Sequence, residues 1–263
     1  MTPAERAVRN ATVIMRPIGL DQLMTRAELQ TRTDRKYFVP AGVFRRFAAD
    51  MAEDFDVLDI GRRRLFRYES VYFDSPRLAT YRAHLQRRRK RYKIRTRTYL
   101  DSGQCMLEVK LEGHRATTVK QRIPYPLEQR SHLTDDAWDF VAELLKSMYA
   151  IEPPERLDAV LTTFYRRATL ASRTETARLT CDVGFVCRDE DREVAALGNH
   201  VLVESKSAGS GSRADRLLRE LGVRPTTVSK YCVAVAALHP DLPSNPWHPT
   251  LRRYFDWRLD SAA

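Results

Sequence analysis

The segment Tyr92-Lys-Ile-Arg-Thr-Arg-Thr-Tyr99 sets a cation at alternate positions of a stretch rich in β-branched and aromatic residues. Successive side chains of a β-strand point to opposite faces. Lys93, Arg95, Arg97 and Tyr99 therefore share one face, and Tyr92, Ile94, Thr96 and Thr98 the other. The alternation returns four more times. Glu108 and Lys110 oppose Leu107 and Val109; Lys120 pairs by face with Arg122, Arg178 with Asp182, and Glu204 with Lys206. One such strand is what any solvated sheet surface shows. Five in one chain demand either a very wet sheet or a cavity lined with charge, and which it is decides the function.

At 263 residues with 43% hydrophobic content the chain has enough apolar side chains for a substantial core. It reads as one domain spanning 1–263, with a core from about 30 to 238 and a peripheral Pro-rich tail at 239–263. A formal net charge of +11 favours anionic partners: nucleic acid, phosphorylated metabolites, polyphosphate or acidic lipid. The basic run Gln86-Arg-Arg-Arg-Lys-Arg91 reads as a solvated turn that can also steer a polyanion. Cys105, Cys181, Cys187 and Cys232 lack the spacing of a zinc or redox motif, and the six histidines show no ligand spacing. No secretory signal and no apolar run of roughly 18–20 residues is found, so the expectation is a cytoplasmic protein without a transmembrane segment.

Local signals then place the elements. Residues 1–30 read as a lead-in with one amphipathic helix near Leu20–Leu29. A strand follows over 31–39, with Pro40 in the first turn of a helix to about Glu53. A strand at 66–73 leads to a helix at 75–86 capped by Ser75 with Pro76 at its first position. Strands at about 91–100, 104–112 and 116–123 are joined by the turns Asp101-Ser-Gly103 and Glu112-Gly-His114. Thr134 opens a helix to Tyr149 with an apolar face and acids in its first turn. Strands at 158–170, 177–187 and 200–207, a loop at 207–212 and helices at 214–221 and 226–238 complete the pattern. The 208–212 loop lacks the Gly-Lys-Ser/Thr ending of a nucleotide phosphate loop.

One inward face per strand collects Lys36, Arg95, Arg97, Lys110, Lys120, Arg122, Arg178 and Lys206, interleaved with Glu108, Asp182 and Glu204. The fold class expected is α+β: an antiparallel β-barrel forming a charged tunnel, covered by helices on its apolar outside.

These residues resemble a known family. The ordered pieces are Asp34-Arg-Lys-Tyr-Phe-Val39, Tyr72-Phe-Asp-Ser75, Ile94-Arg-Thr-Arg-Thr-Tyr99, Leu107-Glu-Val-Lys110, Val119-Lys-Gln-Arg122, Tyr165-Arg-Arg167, Arg178-Leu-Thr-Cys-Asp182, Val203-Glu-Ser-Lys206 and Ser229-Lys-Tyr231. Together they resemble the VTC domain of polyphosphate polymerases, within the triphosphate tunnel (CYTH-like) superfamily. The resemblance implies phosphate-binding cations at Lys36, Arg95, Arg97, Lys110, Lys120, Arg167 (or Arg166), Arg178 and Lys230, with a metal-binding Glu204. Arg95, Arg97, Lys110, Arg178 and Lys230 fall on the catalytic positions. Many tunnel enzymes open with Glu-x-Glu-x-Lys, where this chain has Arg32, Asp34 and Lys36. Loss of the first acid points to the VTC branch.

The function so implied is metal-dependent synthesis of inorganic polyphosphate from ATP, with Mn²⁺ or Mg²⁺ as cofactor and ADP released. Two alternatives stand beside it: a triphosphate or polyphosphate hydrolase, and a non-catalytic module that binds polyphosphate or inositol phosphates. The cations lie on alternate strand positions without aromatic stacking platforms or a recognition helix, which argues against specific nucleic-acid binding. Docking to a separate membrane protein is compatible with the sequence.

Overall fold

The computed structural model describes residues 1–26, 33–113, 118–209, 211–255 and 257. The chain opens with α1 (Pro3–Ile14), β1 (Arg16–Ile18), α2 (Leu20–Arg26), β2 (Thr33–Pro40), α3 (Ala41–Met51) and β3 (Phe55–Leu58). Next come β4 (Phe66–Asp74), α4 (Ala79–Leu85), β5 (Tyr92–Tyr99), β6 (Gln104–Glu112), β7 (Thr118–Pro124) and α5 (Asp135–Tyr149). The remainder is β8 (Asp158–Ser172), β9 (Ala177–Arg188), β10 (Glu193–Ala195), β11 (His200–Ser207), α6 (Arg213–Glu220), α7 (Lys230–Leu238) and α8 (His248–Tyr254). The fold is α+β on an antiparallel sheet, as the alternation implied. The strand order β2-β11-β9-β8-β4-β5-β6-β7 is an open ladder ending at β2 and β7, not the closed barrel expected from the sequence.

Residues divide into two compact units: Met1–Arg67, Tyr165–Phe185 and Ala196–Val228 form the first, and Tyr68–Phe164, Val186–Ala195 and Ser229–Ala263 the second. In the first, β11 lies between β2 and β9, with Val203 opposite both Tyr37 and Cys181. The back of this ladder (Tyr37, Val39, Leu179, Cys181, Val201 and Val203) packs against Phe44, Phe47 and Met51 of α3. Burying side chains of this size stabilises by about 1.5–3 kcal/mol each. Ala4, Ala7, Val8 and Ala11 of α1 join the same core.

Helix α1 corrects the lead-in reading. Thr2 caps it, its side chain accepting from Glu5 N at 3.2 Å, and Pro3 takes the first position. Its buried stripe, Ala4, Ala7, Val8 and Ala11, is made of small side chains set against a charged outer face. Strand β3 was also unforeseen, because all four of its residues are buried and alternation is absent. Pro40 stands as the cap of α3 rather than inside its first turn. Leu29 and Arg32 lie outside the described residues, as do His114 and Leu259.

In the second unit β4, β5, β6 and β7 form consecutive antiparallel pairs. Phe73, Ile94, Leu107, Val109 and Leu111 are buried with Ala137, Val141 and Leu145 of α5. Thr134 accepts from Ala137 N at 3.3 Å, Asp135 and Asp136 occupy the first turn, and Ala150 closes the helix at φ 50°. Helix α4 starts at Ala79, not at Ser75. Ser75 Oγ accepts from Ala79 N at 3.0 Å, and Leu78 turns the chain at φ 51°. The tail is not peripheral: Trp247, Leu251 and Phe255 are buried, and the Trp247 ring lies 5.1 Å from that of Tyr81.

His84, on α4, is held neutral. Burial is the largest cause, Lys93 adds to it, and a bond to Tyr92 O at 3.2 Å opposes it; the imidazole falls from 6.5 to about 3. Between those values the unfolded chain binds a proton that the folded chain refuses, so stability falls as pH falls through this window and the loss ends near 3. His84→Gln is expected to flatten that part of the curve, read from urea midpoints at pH 7, 5 and 4. A variant with the wild-type slope would show that His84 has no part in it.

Candidate functional site

The register of the second unit assembles a cationic face. Lys93 stands opposite Lys110, and Lys110 opposite Lys120. Arg95 stands opposite Glu108, and Glu108 opposite Arg122. Arg97 faces Met106. Directly paired residues of antiparallel strands point to the same side, so three strands present six cations and two carboxylates, Glu108 and, at the end of β6, Glu112, on a single face. On β4, Tyr72 and Ser70 continue that face opposite Arg95 and Arg97.

Glu108 is 1% exposed and organises the cluster. Arg95 Nε and Nη2 donate to its Oε2 at 2.9 and 2.7 Å, Lys120 Nζ donates to its Oε1, and Arg97 Nη1 lies 3.7 Å away. Arg95 Nη1 also donates to Tyr72 Oη at 3.0 Å. Burial alone would raise the Glu108 carboxyl, but Arg95, Arg97 and Lys120 together hold it well below the usual range. The Lys120 ammonium is lowered, first by burial of its tip and then by Arg97 and Arg95, against the pull of Glu108. Arg122 is exposed at the end of the row. Lys230 opens α7, whose first turn is capped by Ser229 and anchored by Tyr231.

The first unit has its own polar face. Glu204 stands opposite Lys36 on one side and Thr180 on the other, while Lys206 stands opposite Asp34 and Arg178. Lys206 Nζ lies 3.4 Å from Glu204 Oε1. The neighbouring strand settles which arginine shares this side. Arg167 Nε and Nη2 donate to Asp182 at 2.6 and 2.8 Å, and Asp182 pairs by register with Leu202 on the Glu204 side. Arg166 points the other way and donates to Glu5 of α1 at 3.0 Å.

Lys36, Arg178, Glu204 and Lys206 are thus brought into one register, and Arg95, Arg97, Lys110, Lys120 and Arg122 into another. What the sequence did not reveal is the pairing. Arg167 is 9% exposed and engaged by Asp182, and Arg95 is engaged by Glu108. Asp74 and Tyr72 were quoted only as part of a motif, yet both carry hydrogen bonds that order the second face.

No group of three or more His, Cys, Asp or Glu side chains converges on a point among the described residues. Glu108 and Asp182 each accept two or more charge-assisted bonds, and the Lys206 ammonium stands 3.4 Å from Glu204 Oε1.

The VTC domain family model matches residues 31–239. The chain belongs to the VTC domain family. Membership places it among proteins that act on polyphosphate or triphosphate. No curated protein matches this VTC domain. Among solved structures, a Hippeastrum adenylyl cyclase candidate described with a dominant triphosphatase activity is 11% identical, with 79% of this chain and 97% of that one covered at a TM-score of 0.51. An adenylate cyclase candidate from Vibrio parahaemolyticus is 12% identical, with 76% and 95% covered at a TM-score of 0.43. At such identities the likeness of the VTC domain to the Hippeastrum protein is one of fold.

Removing one partner of a buried ion cluster costs more than the cluster contributes, because the remaining charges stay desolvated. Glu108→Gln is therefore expected to destabilise the VTC domain by about 3 kcal/mol at pH 7, read as a lower denaturant midpoint at unchanged slope. The Glu108 contribution is fully present above the ordinary glutamate range and drains away as pH falls below it, so the difference between variant and wild type should shrink in acid. An unchanged midpoint at pH 7 would show that the three cations do not need the carboxylate.

Proposed function

We propose that this VTC domain synthesises inorganic polyphosphate, the terminal phosphate of a growing chain attacking the γ-phosphorus of ATP with release of ADP. The observation that carries the reading is the face of β5, β6 and β7, where six cations share the surface with two carboxylates, Glu108 and Glu112, that are both already engaged. Such a face has surplus positive charge and guanidinium forks suited to phosphate oxygens. Phosphoryl transfer asks little covalent chemistry of a protein; it asks for alignment and charge neutralisation. Arg95, Arg97, Lys110 and Lys120 hold phosphate oxygens in this reading, with Arg122 at the rim and Lys230 at the start of α7.

On the first unit, Lys36, Arg178 and Lys206 flank Glu204, and Arg167 is oriented by Asp182. Glu204 holds a divalent ion, which when bound neutralises charge on the reacting phosphates. A polyphosphate end is ionised near neutral pH, so no strong general base is required. The replacement of an opening acidic pair by Arg32 and Asp34 supports polymerisation over hydrolysis.

Incubation with ATP and Mn²⁺ tests the reading directly. Chains lengthening on a gel, with one ADP released per phosphate added, are the expected result; free phosphate without chains would make the protein a hydrolase. Arg97→Ala is expected to weaken tripolyphosphate binding by about 1.5–3 kcal/mol, the scale of a charge-assisted hydrogen bond, as read by calorimetry.

Glu204→Gln separates a metal ligand from a structural counter-ion. As a metal ligand, its loss leaves ATP affinity intact or slightly tighter and lowers turnover by about two orders of magnitude. Normal Mn²⁺-dependent synthesis by that variant would remove Glu204 from the assignment.

A further inference from the structure

Asp74 is a buried carboxylate to which the phosphate reading gives no role. Asp74 ends β4, has no solvent exposure, and accepts five hydrogen bonds. Its Oδ1 takes Ser75 N at 2.7 Å and Thr80 N at 2.9 Å; its Oδ2 takes Thr80 Oγ1 at 2.6 Å, Tyr81 N at 3.0 Å and the hydroxyl of Tyr231. Four of these would suffice to cap α4. The fifth reaches a residue 157 positions away in the chain.

Tyr231 is the second residue of α7, directly after Lys230. Its ring stacks on Tyr72 with centroids 5.1 Å apart and planes at 27°. Tyr72 in turn accepts from Arg95 Nη1, and the Arg95 guanidinium carbon lies 5.7 Å from the Tyr72 ring centre. One chain of contacts therefore runs from Asp74 through Tyr231 and Tyr72 to Arg95. A hydroxyl fixed at one end and a stacked ring behind it stop the first turn of α7 from rotating about its axis. That rotation would swing Lys230, whose side chain leaves the same turn.

We propose that Asp74 and Tyr231 are positioning residues that hold Lys230 and Arg95 at fixed places for phosphate oxygens. The proposal rests on the phosphoryl-transfer reading of this face. Neither residue needs to touch substrate. Misplacement of a positioned group by about 1 Å is enough to cost a large factor in rate.

Tyr231→Phe tests it with the least damage, since the stacked ring stays and only the bond to Asp74 goes. Three quantities are measured: kcat/KM with ATP and Mn²⁺, tripolyphosphate affinity by calorimetry, and the melting temperature. The expected result is a loss of roughly tenfold in kcat/KM in a chain that is still fully folded at the assay temperature. The loss should disappear in a Lys230→Ala background, because residues acting as a unit are not additive. Full activity of Tyr231→Phe overturns the proposal, and so does an undiminished tenfold loss in both the Lys230→Ala and the Arg95→Ala backgrounds.

If Tyr231→Phe does not fold, Tyr72→Phe tests the Arg95 arm. It keeps the stack and removes the acceptor, and should weaken tripolyphosphate binding several-fold in wild type but not in Arg95→Ala. Equal binding by Tyr72→Phe and wild type overturns that arm. A wild-type protein that neither binds tripolyphosphate nor turns over ATP overturns the phosphate reading and the positioning together. Wild-type binding and turnover with an indifferent Tyr231→Phe overturns the positioning alone.

Discussion

Everything on the second unit's polar face depends on the burial of Glu108 among cations. Two unit charges 4 Å apart repel by about 4 kcal/mol at the effective dielectric near a protein surface, so Arg95, Arg97 and Lys120 could not share a small space unaided. One carboxylate at 1% exposure offsets much of this repulsion without cancelling it. The cluster of Arg95, Arg97 and Lys120 around Glu108 keeps a net positive charge. In the proposed reading, an anion with several closely spaced oxygens would complete what Glu108 begins. The two bonds from Arg95 also fix its guanidinium plane before any ligand arrives, which spares a binding event the ordering of that side chain.

The period of two that builds this face also builds the core behind it. Arg95 alternates with Ile94 and Thr96, and Glu108 with Leu107 and Val109; the apolar members are sealed by α5. In the first unit Glu204 and Lys206 alternate with Val203 and Ser205, and Val203 is sealed by α3. A shift of register by one residue would turn each charged row into the core and each apolar row into water. The packed core and the charged face are therefore set by the same strands, and the helices lock both at once. Asp215 shows the same economy behind β11: it caps α6 through Ser212 and accepts the buried hydroxyls of Tyr37 and Ser205.

Strands with one charged and one apolar face were legible because the signal is periodic and local: 92–99, 104–112 and 200–207 fall within a residue of where the alternation ends. Helix α5 was legible for the same reason, with Thr134 and two acids marking its start. Elements whose burial is set by tertiary neighbours were not. β3 buries all four residues and offers no contrast, and α1 presents alanines whose value lies in close approach to α3. The start of α4 was misread because Ser75 and Pro76 form a convincing local cap, while the true N-terminus is capped by Asp74 from the preceding strand. Of the site, sequence gave which residues share a face, since that follows from parity. It could not give which acid engages which cation, since Arg167 and Asp182 are fifteen residues apart and meet only through strand pairing.

That distinction divides the cations by what they can do for a ligand. Arg167 is held by two bonds to Asp182, and giving those up to a phosphate would strand a carboxylate at 3% exposure. Its contribution to an anion is therefore its field and a shared edge of its fork, not a full exchange of partners. Arg95 is constrained in the same way by Glu108 and Tyr72. Lys110 and Lys120 stand opposite each other in the ladder, and the ammonium of Lys120 is the member of the Glu108 cluster whose charge is most weakened by its surroundings. In the proposed reading, a polyphosphate oxygen beside Lys120 would supply a charge that favours the ammonium, as Glu108 does. The guanidiniums, which never discharge, thus set the geometry of the face.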